Sequence, residues 1–150
     1  SFCIWFNADS LHNSQILSSA RTNATSFAEF PFSISTSTGG DIVANFSQGN
    51  DYSMDASITS TYSATTWTHI AVVYQASTSV SIYKNGTLAD STSIAFNVNQ
   101  NNRVYRIGSS HYYNNSQYFD GKIGQVQIYS DALSATEVVQ NYNATKTNFV

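Results

Sequence analysis

Short apolar or alternating runs, separated by turn-forming residues, repeat along most of the chain. Runs of this length bounded by Gly, Asn, Asp and Ser are typical of β-strands joined by turns. No strand-helix-strand unit interrupts them, so their density predicts a sandwich or barrel. The predicted strands are Phe2–Phe6, Gln15–Ala20, Phe27–Ile34, Asp41–Phe46, Trp67–Tyr74, Val80–Lys84, Leu88–Thr92, Val104–Gly108 and Lys122–Tyr129.

The strongest local signal is Asn85-Gly86, which lies between two alternating runs. Both central positions of a type I′ turn need a positive φ, which Asn and Gly adopt readily, so a tight hairpin is predicted. The preceding run Ile70–Tyr74 is apolar at successive positions, which indicates a central strand covered on both faces.

Two strands carry predicted irregularities. Pro31 cannot donate to a sheet ladder, so the strand around it is predicted to lie at a sheet edge or to be bulged. Ile123 is out of phase with Val126 and Ile128, so all three can face one core only if the strand bulges, most simply at Gly124.

After Tyr129 the period changes to that of a helix. Ser134 followed three residues later by Glu137 forms a capping-box pattern, and Leu133 and Val138 fit a hydrophobic staple. A short helix is therefore predicted from Ala135 to Asn141.

The amino-acid composition limits the classes of partner that the protein can bind. Only 10% of the 150 residues are charged, the net charge is -3, and 54 residues are Ser, Thr or Asn. Six Lys and Arg cannot form the basic stripe that nucleic acid requires, so nucleic acid is excluded as a partner. No run approaches the roughly 18 apolar residues of a membrane span, so membrane insertion is not expected.

The runs Trp67–Tyr74, Ser81–Gly86, Arg106–Ser109, Phe119–Ile123 and Val126–Tyr129 together resemble laminin-G-like and pentraxin-like domains. This resemblance implies an all-β fold of the concanavalin-A-like superfamily, a two-sheet antiparallel β-sandwich (jelly roll) with one short C-terminal helix, over residues 1–150 as a single domain. The family's usual first strand would lie before Ser1, so the chain is interpreted as part of a longer or processed protein. If that strand is missing, an edge beside the last strand is open to strand addition from a neighbouring chain.

Catalysis is not expected. Laminarinase-like relatives use a Glu-x-Asp-x-x-Glu strand, because retaining hydrolysis needs two carboxylates about 5 Å apart. The chain has only Glu29 and Glu137, and the second is explained by the capping box. His69 is interpreted as a sheet-face histidine with a local hydrogen bond, and Cys3 as a small buried apolar residue.

Binding residues are sought in the loops. Tyr and Asn side chains suit a sugar, because rings stack on aromatics while amides bond hydroxyls. Calcium is a candidate cofactor, although none is required, with Asp51 and Asp55 as weak candidate ligands. The candidate carbohydrate-binding residues are Tyr112, Tyr113, Asn114, Asn115 and Tyr118. The same loop is also explained as a Tyr-rich cover on the sandwich or a contact between subunits.

Five Asn-x-Ser/Thr sequons make Asn23, Asn45, Asn85, Asn114 and Asn143 candidate glycosylation sites. The sequence thus predicts a non-catalytic extracellular binding or adhesion module, secreted or on the surface of a cell or virus particle, that recognises glycans or glycoproteins. The alternative is a structural subunit of a filament, sheath or viral appendage, glycosylated and assembled as a homo-oligomer.

Overall fold

The computed structural model describes residues 1–21, 32–48, 56–98, 103–110 and 117–150. Within these ranges the chain forms ten strands, one α-helix and a final 3₁₀ turn. The strands are β1 (Phe2–Ala8), β2 (Ser14–Arg21), β3 (Phe32–Thr36), β4 (Asp41–Phe46), β5 (Ala56–Thr61), β6 (Thr68–Gln75), β7 (Ser79–Lys84), β8 (Thr87–Ser93), β9 (Arg103–Ile107) and β10 (Gly121–Ile128), and the helices are α1 (Ala135–Thr145) and the 3₁₀ turn Lys146–Asn148.

The strands form two five-stranded antiparallel sheets. Sheet A has the order β10-β1-β6-β7-β8, and sheet B has the order β5-β4-β3-β2-β9. The predicted two-sheet β-sandwich with one C-terminal helix is confirmed.

Apolar side chains from the two inner faces form the main core. Aromatic pairs connect the sheets: Phe2 of sheet A stacks on Phe32 of sheet B at 4.4 Å between ring centroids, and Phe46 stacks on Tyr74 at 5.9 Å. Strand β6 is buried on both faces, as predicted. Ile70 and Val72 belong to the main core, whereas Ala71 and Val73 lie beneath α1.

The predicted hairpin is confirmed, since Asn85 and Gly86 have φ values of 50° and 81°. The predicted bulge in β10 is also present, because Ile4 pairs with Val126 while Phe6 pairs with Ile123. Gly124 fits there because a Cβ would lie 2.5 Å from the Phe149 ring.

Three expectations need correction. Of the two alternatives predicted for the strand at Pro31, the edge position is wrong, because β3 is hydrogen-bonded to β2 and β4 in the middle of sheet B. The bulge at Pro31 stays a prediction, because residues 27–31 lie outside the described residues. Ile128 faces inward opposite Phe2 but is 53% exposed, because β10 is an edge strand. The helix continues to Thr145, whose hydroxyl bonds the Asn141 carbonyl.

Strand β5 was not predicted from the sequence. Its side chains alternate between buried and exposed, but five of its six residues are Ala, Ser or Thr. Small polar residues give a weak apolar pattern, so only Ile58 indicated a buried position.

Candidate functional site

The outer face of sheet A is covered by the C-terminal segment. Val138 of α1 is fully buried against Cys3, Ala71 and Val73. Trp5 donates its indole N–H to the Thr145 hydroxyl at 2.9 Å. This covering leaves no open face on sheet A over β1 and β6 for a ligand.

His69 is part of this covered face. Its ring lies 5.1 Å from the Trp5 ring and 5.6 Å from the Tyr142 ring, and the residue is 1% exposed. Burial lowers the pKa of the imidazole from 6.5 to about 4, because the charged form would lose its hydration. The sheet-face position is as predicted. The predicted local hydrogen bond is not made by Nδ1, which is buried without a partner among the described residues.

The outer face of sheet B is built from small polar side chains. Ser33 lies opposite Asn45, and Asn45 lies opposite Ser57 across the next strand pair. A second row runs from Ser35 through Val43 to Thr59. Hydroxyl and amide groups therefore line a face that no helix among the described residues covers.

A polar cleft of about 280 Å³ lies on this face. It is formed where β2 begins and β3 ends, together with the neighbouring part of β4, which pairs with β3. We call it the polar cleft; its lining residues are Asn13, Ser14, Gln15, Ser35, Thr36, Ser37, Val43, Asn45 and Gln117.

A bulge in β2 delivers Gln15 to the polar cleft. Gln15 pairs with Ser35 but Leu17 pairs with Ile34, so Ile16 is an extra residue in the ladder. Ile16 and Leu17 both belong to the main core. In a regular strand Gln15 would share the inward face of Leu17, and the bulge turns it outward instead.

The Gln15 side chain has an unused hydrogen-bond acceptor. Gln15 is 9% exposed, and its Nε2 donates to Gln117 Oε1 at 3.4 Å. Its buried Oε1 has no partner among the described residues. A buried polar atom left unpaired costs roughly 1–3 kcal/mol, and a ligand hydroxyl would remove that cost once the Gln15 amide turned outward to meet it.

The predicted Tyr-rich loop ends beside the polar cleft. The Gln15 backbone N–H donates to the Gln117 carbonyl at 3.4 Å, and the next residue, Tyr118, is 59% exposed. Tyr112, Tyr113, Asn114 and Asn115 lie outside the described residues.

A laminin G-type model of the concanavalin A-like lectin/glucanases superfamily matches residues 1–139. The chain belongs to this superfamily. The predicted resemblance is thereby confirmed. No curated protein sequence shows a significant match.

Solved structures share the superfamily fold. The CBM40 of Ruminococcus gnavus IT-sialidase, bound to α2,3-sialyllactose, has a TM-score of 0.75 and 16% identity, over 94% of this chain and 80% of that one. The native heptameric SAP-like pentraxin from Limulus polyphemus has a TM-score of 0.69 and 16% identity, over 92% and 66%.

The binding domain of botulinum neurotoxin serotype G has a TM-score of 0.70 and 20% identity, over 97% of this chain and 36% of that one. The chain therefore spans about a third of the length of that neurotoxin domain. At these identities the likeness shows the fold alone.

The sequons of this superfamily member fall in different surroundings. Asn85 at the hairpin tip and Asn143 on α1 are exposed, whereas Asn45 lines the polar cleft. Asn23 and Asn114 lie outside the described residues. A glycan attached to Asn45 and a ligand in the polar cleft would occupy the same space.

The remaining candidates for chemistry are accounted for locally or lie outside the described ranges. Glu137 completes the predicted capping box, and hydrogen bonds from Ser134 lower the pKa of its carboxyl. Cys3 is buried, and burial raises the pKa of its thiol. Asp51, Asp55 and Glu29 are not described.

The described residues contain no group of three or more His, Cys, Asp or Glu side chains placed to hold a metal. No helix in this part of the chain has the length and apolarity needed to cross a membrane.

Sequence reasoning missed most of the polar cleft. Ser35, Val43 and Asn45 alternate with core residues, which is a readable signal for one face of a sheet. The outward turn of Gln15 depends on a bulge defined by the partner strand, for which the sequence carries no signal.

Proposed function

We propose that this domain is a non-catalytic carbohydrate-binding module that recognises glycans with the outer face of sheet B. The polar cleft carries the proposal, because it is open, lined by hydroxyls and amides, and contains the buried unpaired acceptor Gln15 Oε1. Sugar hydroxyls both donate and accept hydrogen bonds, which matches this set of groups.

Two further observations support the proposal. Tyr118 directly follows the lining residue Gln117 in the chain and is exposed, so an exposed aromatic residue adjoins the polar cleft in sequence. Tyr112 and Tyr113 stay candidate sugar-binding residues of the proposal and lie outside the described residues. The CBM40 with the same fold is a carbohydrate-bound module.

A glycan array tests the proposal. Bacterially expressed protein is applied to the array once with calcium and once with a chelator. Binding to at least one glycan is expected, and a requirement for calcium would point to Asp51 and Asp55. The variant Asn45→Ala should lose at least tenfold in affinity. Ser57→Ala is the matched control, because Ser57 lies opposite Asn45 on the same face but does not line the polar cleft. Silence of the array under both conditions would refute the proposal.

We place the domain outside the cell or on a particle surface, where glycan ligands occur. The intact mass of protein from its natural source tests this placement. Added mass in hexose-containing increments, localised to Asn85 or Asn143, would support it. An unmodified mass would favour a bacterial or phage origin.

A second candidate function is assembly by strand addition. Strand β10 pairs only with β1 among the described strands. On the same side, the inward-facing residues Tyr105, Ile107 and Ile128 are 39%, 54% and 53% exposed. A cavity of about 350 Å³ lined by Phe2, Tyr105 and Ile128 connects the edges of the two sheets. An exposed apolar edge favours pairing with another strand.

Sizing by light scattering over a hundredfold concentration range tests this alternative. Assembly should appear at high concentration and be weakened by Ile128→Lys, which places a charge at the edge. Leu88→Lys, on the opposite edge strand β8 and equally exposed, is the control. A monomer at all concentrations would exclude assembly of this chain by itself.

A further inference from the structure

None of the positively charged residues of the chain lines the polar cleft. There are six Lys and Arg residues, and the segments outside the described ranges contain none of them. The full set is Arg21, Lys84, Arg103, Arg106, Lys122 and Lys146.

Arg106 shares the outer face of sheet B but is separated from Asn45 by β2 and β3. Three strand spacings amount to about 14 Å. Its guanidinium donates to the Ser110 carbonyl at 3.2 Å. The segment that follows β9 also lies against β2, the strand next to β9, since the Ser18 hydroxyl of β2 donates to the Ser109 carbonyl.

The other cations are not lining residues of the polar cleft either. Arg21 ends β2, six residues or about 20 Å along the strand from Gln15, and Arg103 pairs with it in register. Lys84 donates to the Thr61 hydroxyl on the edge strand β5. Lys122 and Lys146 belong to sheet A and the C-terminal segment.

A negative charge lies directly beside the polar cleft. Ser37, a lining residue, donates its hydroxyl to Asp41 Oδ2 at 2.9 Å. Asp41 pairs with Thr61 of β5, whose hydroxyl accepts a hydrogen bond from the Lys84 ammonium of β7. The Nε2 atom of His12 accepts the Asp120 N–H.

These surroundings would bind an anionic sugar weakly. A carboxylate is bound well by charged donors or by several convergent N–H groups, and it is repelled by a nearby carboxylate. A neutral sugar needs paired donors and acceptors instead, which Gln15, Asn45 and Gln117 supply through their amides.

We infer that the polar cleft binds a neutral sugar residue and rejects sialic acid and other anionic sugars. This inference rests on the proposed function and adds the class of ligand. The CBM40 neighbour holds a sialylated ligand on the same fold. The two modules would thus differ in ligand class.

Matched pairs of immobilised glycans test the inference, with lactose against 3′-sialyllactose and a panel of further neutral and sialylated pairs. We expect at least a tenfold preference for neutral members at pH 7.4. Affinity should change less than twofold between 0.05 and 0.5 M NaCl, because no ion pair forms. Gln15→Ala and Asn45→Ala should each weaken binding at least tenfold, and Ser57→Ala less than twofold.

The outcomes separate the two claims. No binding to any member of any pair would refute the proposed function and this inference together. A preference for sialylated members that depends on Asn45 would overturn the inference and leave the proposed function standing. A third outcome is that the protein binds neutral glycans and that neither Gln15→Ala nor Asn45→Ala changes the affinity. If both variants keep the wild-type circular dichroism and melting profile, this outcome would overturn the assignment to the polar cleft.

Discussion

The buried imidazole of His69 should make the stability of the domain depend on pH. The pKa of His69 is about 4 in the folded chain and about 6.5 when the chain is unfolded. Between these values the unfolded state binds more protons than the folded state, so the free energy of unfolding rises with pH. The titration of His69 therefore leaves the free energy of unfolding undiminished above pH 6.5 and lowers it as the pH falls toward 4.

The size of the effect follows from the two pKa values. The complete loss is about 3 kcal/mol, and about 2 kcal/mol of it is already reached at pH 5. No reduction for solvent screening applies, because the residue is 1% exposed. The loss would therefore be a substantial part of the 5–15 kcal/mol typical of a domain.

Urea denaturation at pH 7.5 and pH 5 measures the effect. His69→Gln should reduce the difference between the two pH values by about 2 kcal/mol, because the other titrating groups remain in both proteins. Val138→Ala is the control: it opens a cavity in the same buried face, lowers stability at both pH values and keeps the pH difference. An unchanged pH difference in His69→Gln would refute the assignment of this titration to His69.

Three further predictions concern the C-terminal segment and the sequons. Gly124→Ala should destabilise by about 1–3 kcal/mol in thermal unfolding, because its Cβ would meet Phe149, and the cost should shrink in a Phe149→Ala background. Ser134→Ala should lower stability by about 1 kcal/mol in urea denaturation through loss of the helix cap; an unchanged midpoint would show that the cap is dispensable. Protein glycosylated at Asn45 should fail to bind any ligand of the polar cleft in a binding assay, and enzymatic removal of the glycan should restore binding.

Local sequence signals predicted much of the fold. Asn85-Gly86 specifies its own turn, and Ser134 with Glu137 specifies its own helix start, because the partners lie within a few residues of one another. The bulge at Gly124 was also predictable, since the alternation of inward-facing and outward-facing residues can be read along a single strand. The central position of β3 was not, because Pro31 gives no information on which strands pair downstream of it.

The polar cleft shows where sequence reasoning stops. Its residues come from three strands, from Asn13 and Ser37 at the ends of two of them, and from Gln117, which lies 102 residues from Gln15. Their proximity is fixed by strand order and register, and both arise from long-range pairing. Composition indicated hydroxyl and amide chemistry, but it could not say which of the 54 Ser, Thr and Asn residues share a surface.

The C-terminal segment also determines how the domain is best attached to a surface. Its helix packs on sheet A, and Val150 is 74% exposed on that side of the sandwich. A biosensor chip or bead coupled through a tag after Val150 would hold the domain by its sheet A side, with the outer face of sheet B directed toward the solution. Coupling through Lys84 would instead anchor the domain beside Thr61 on the edge strand of sheet B.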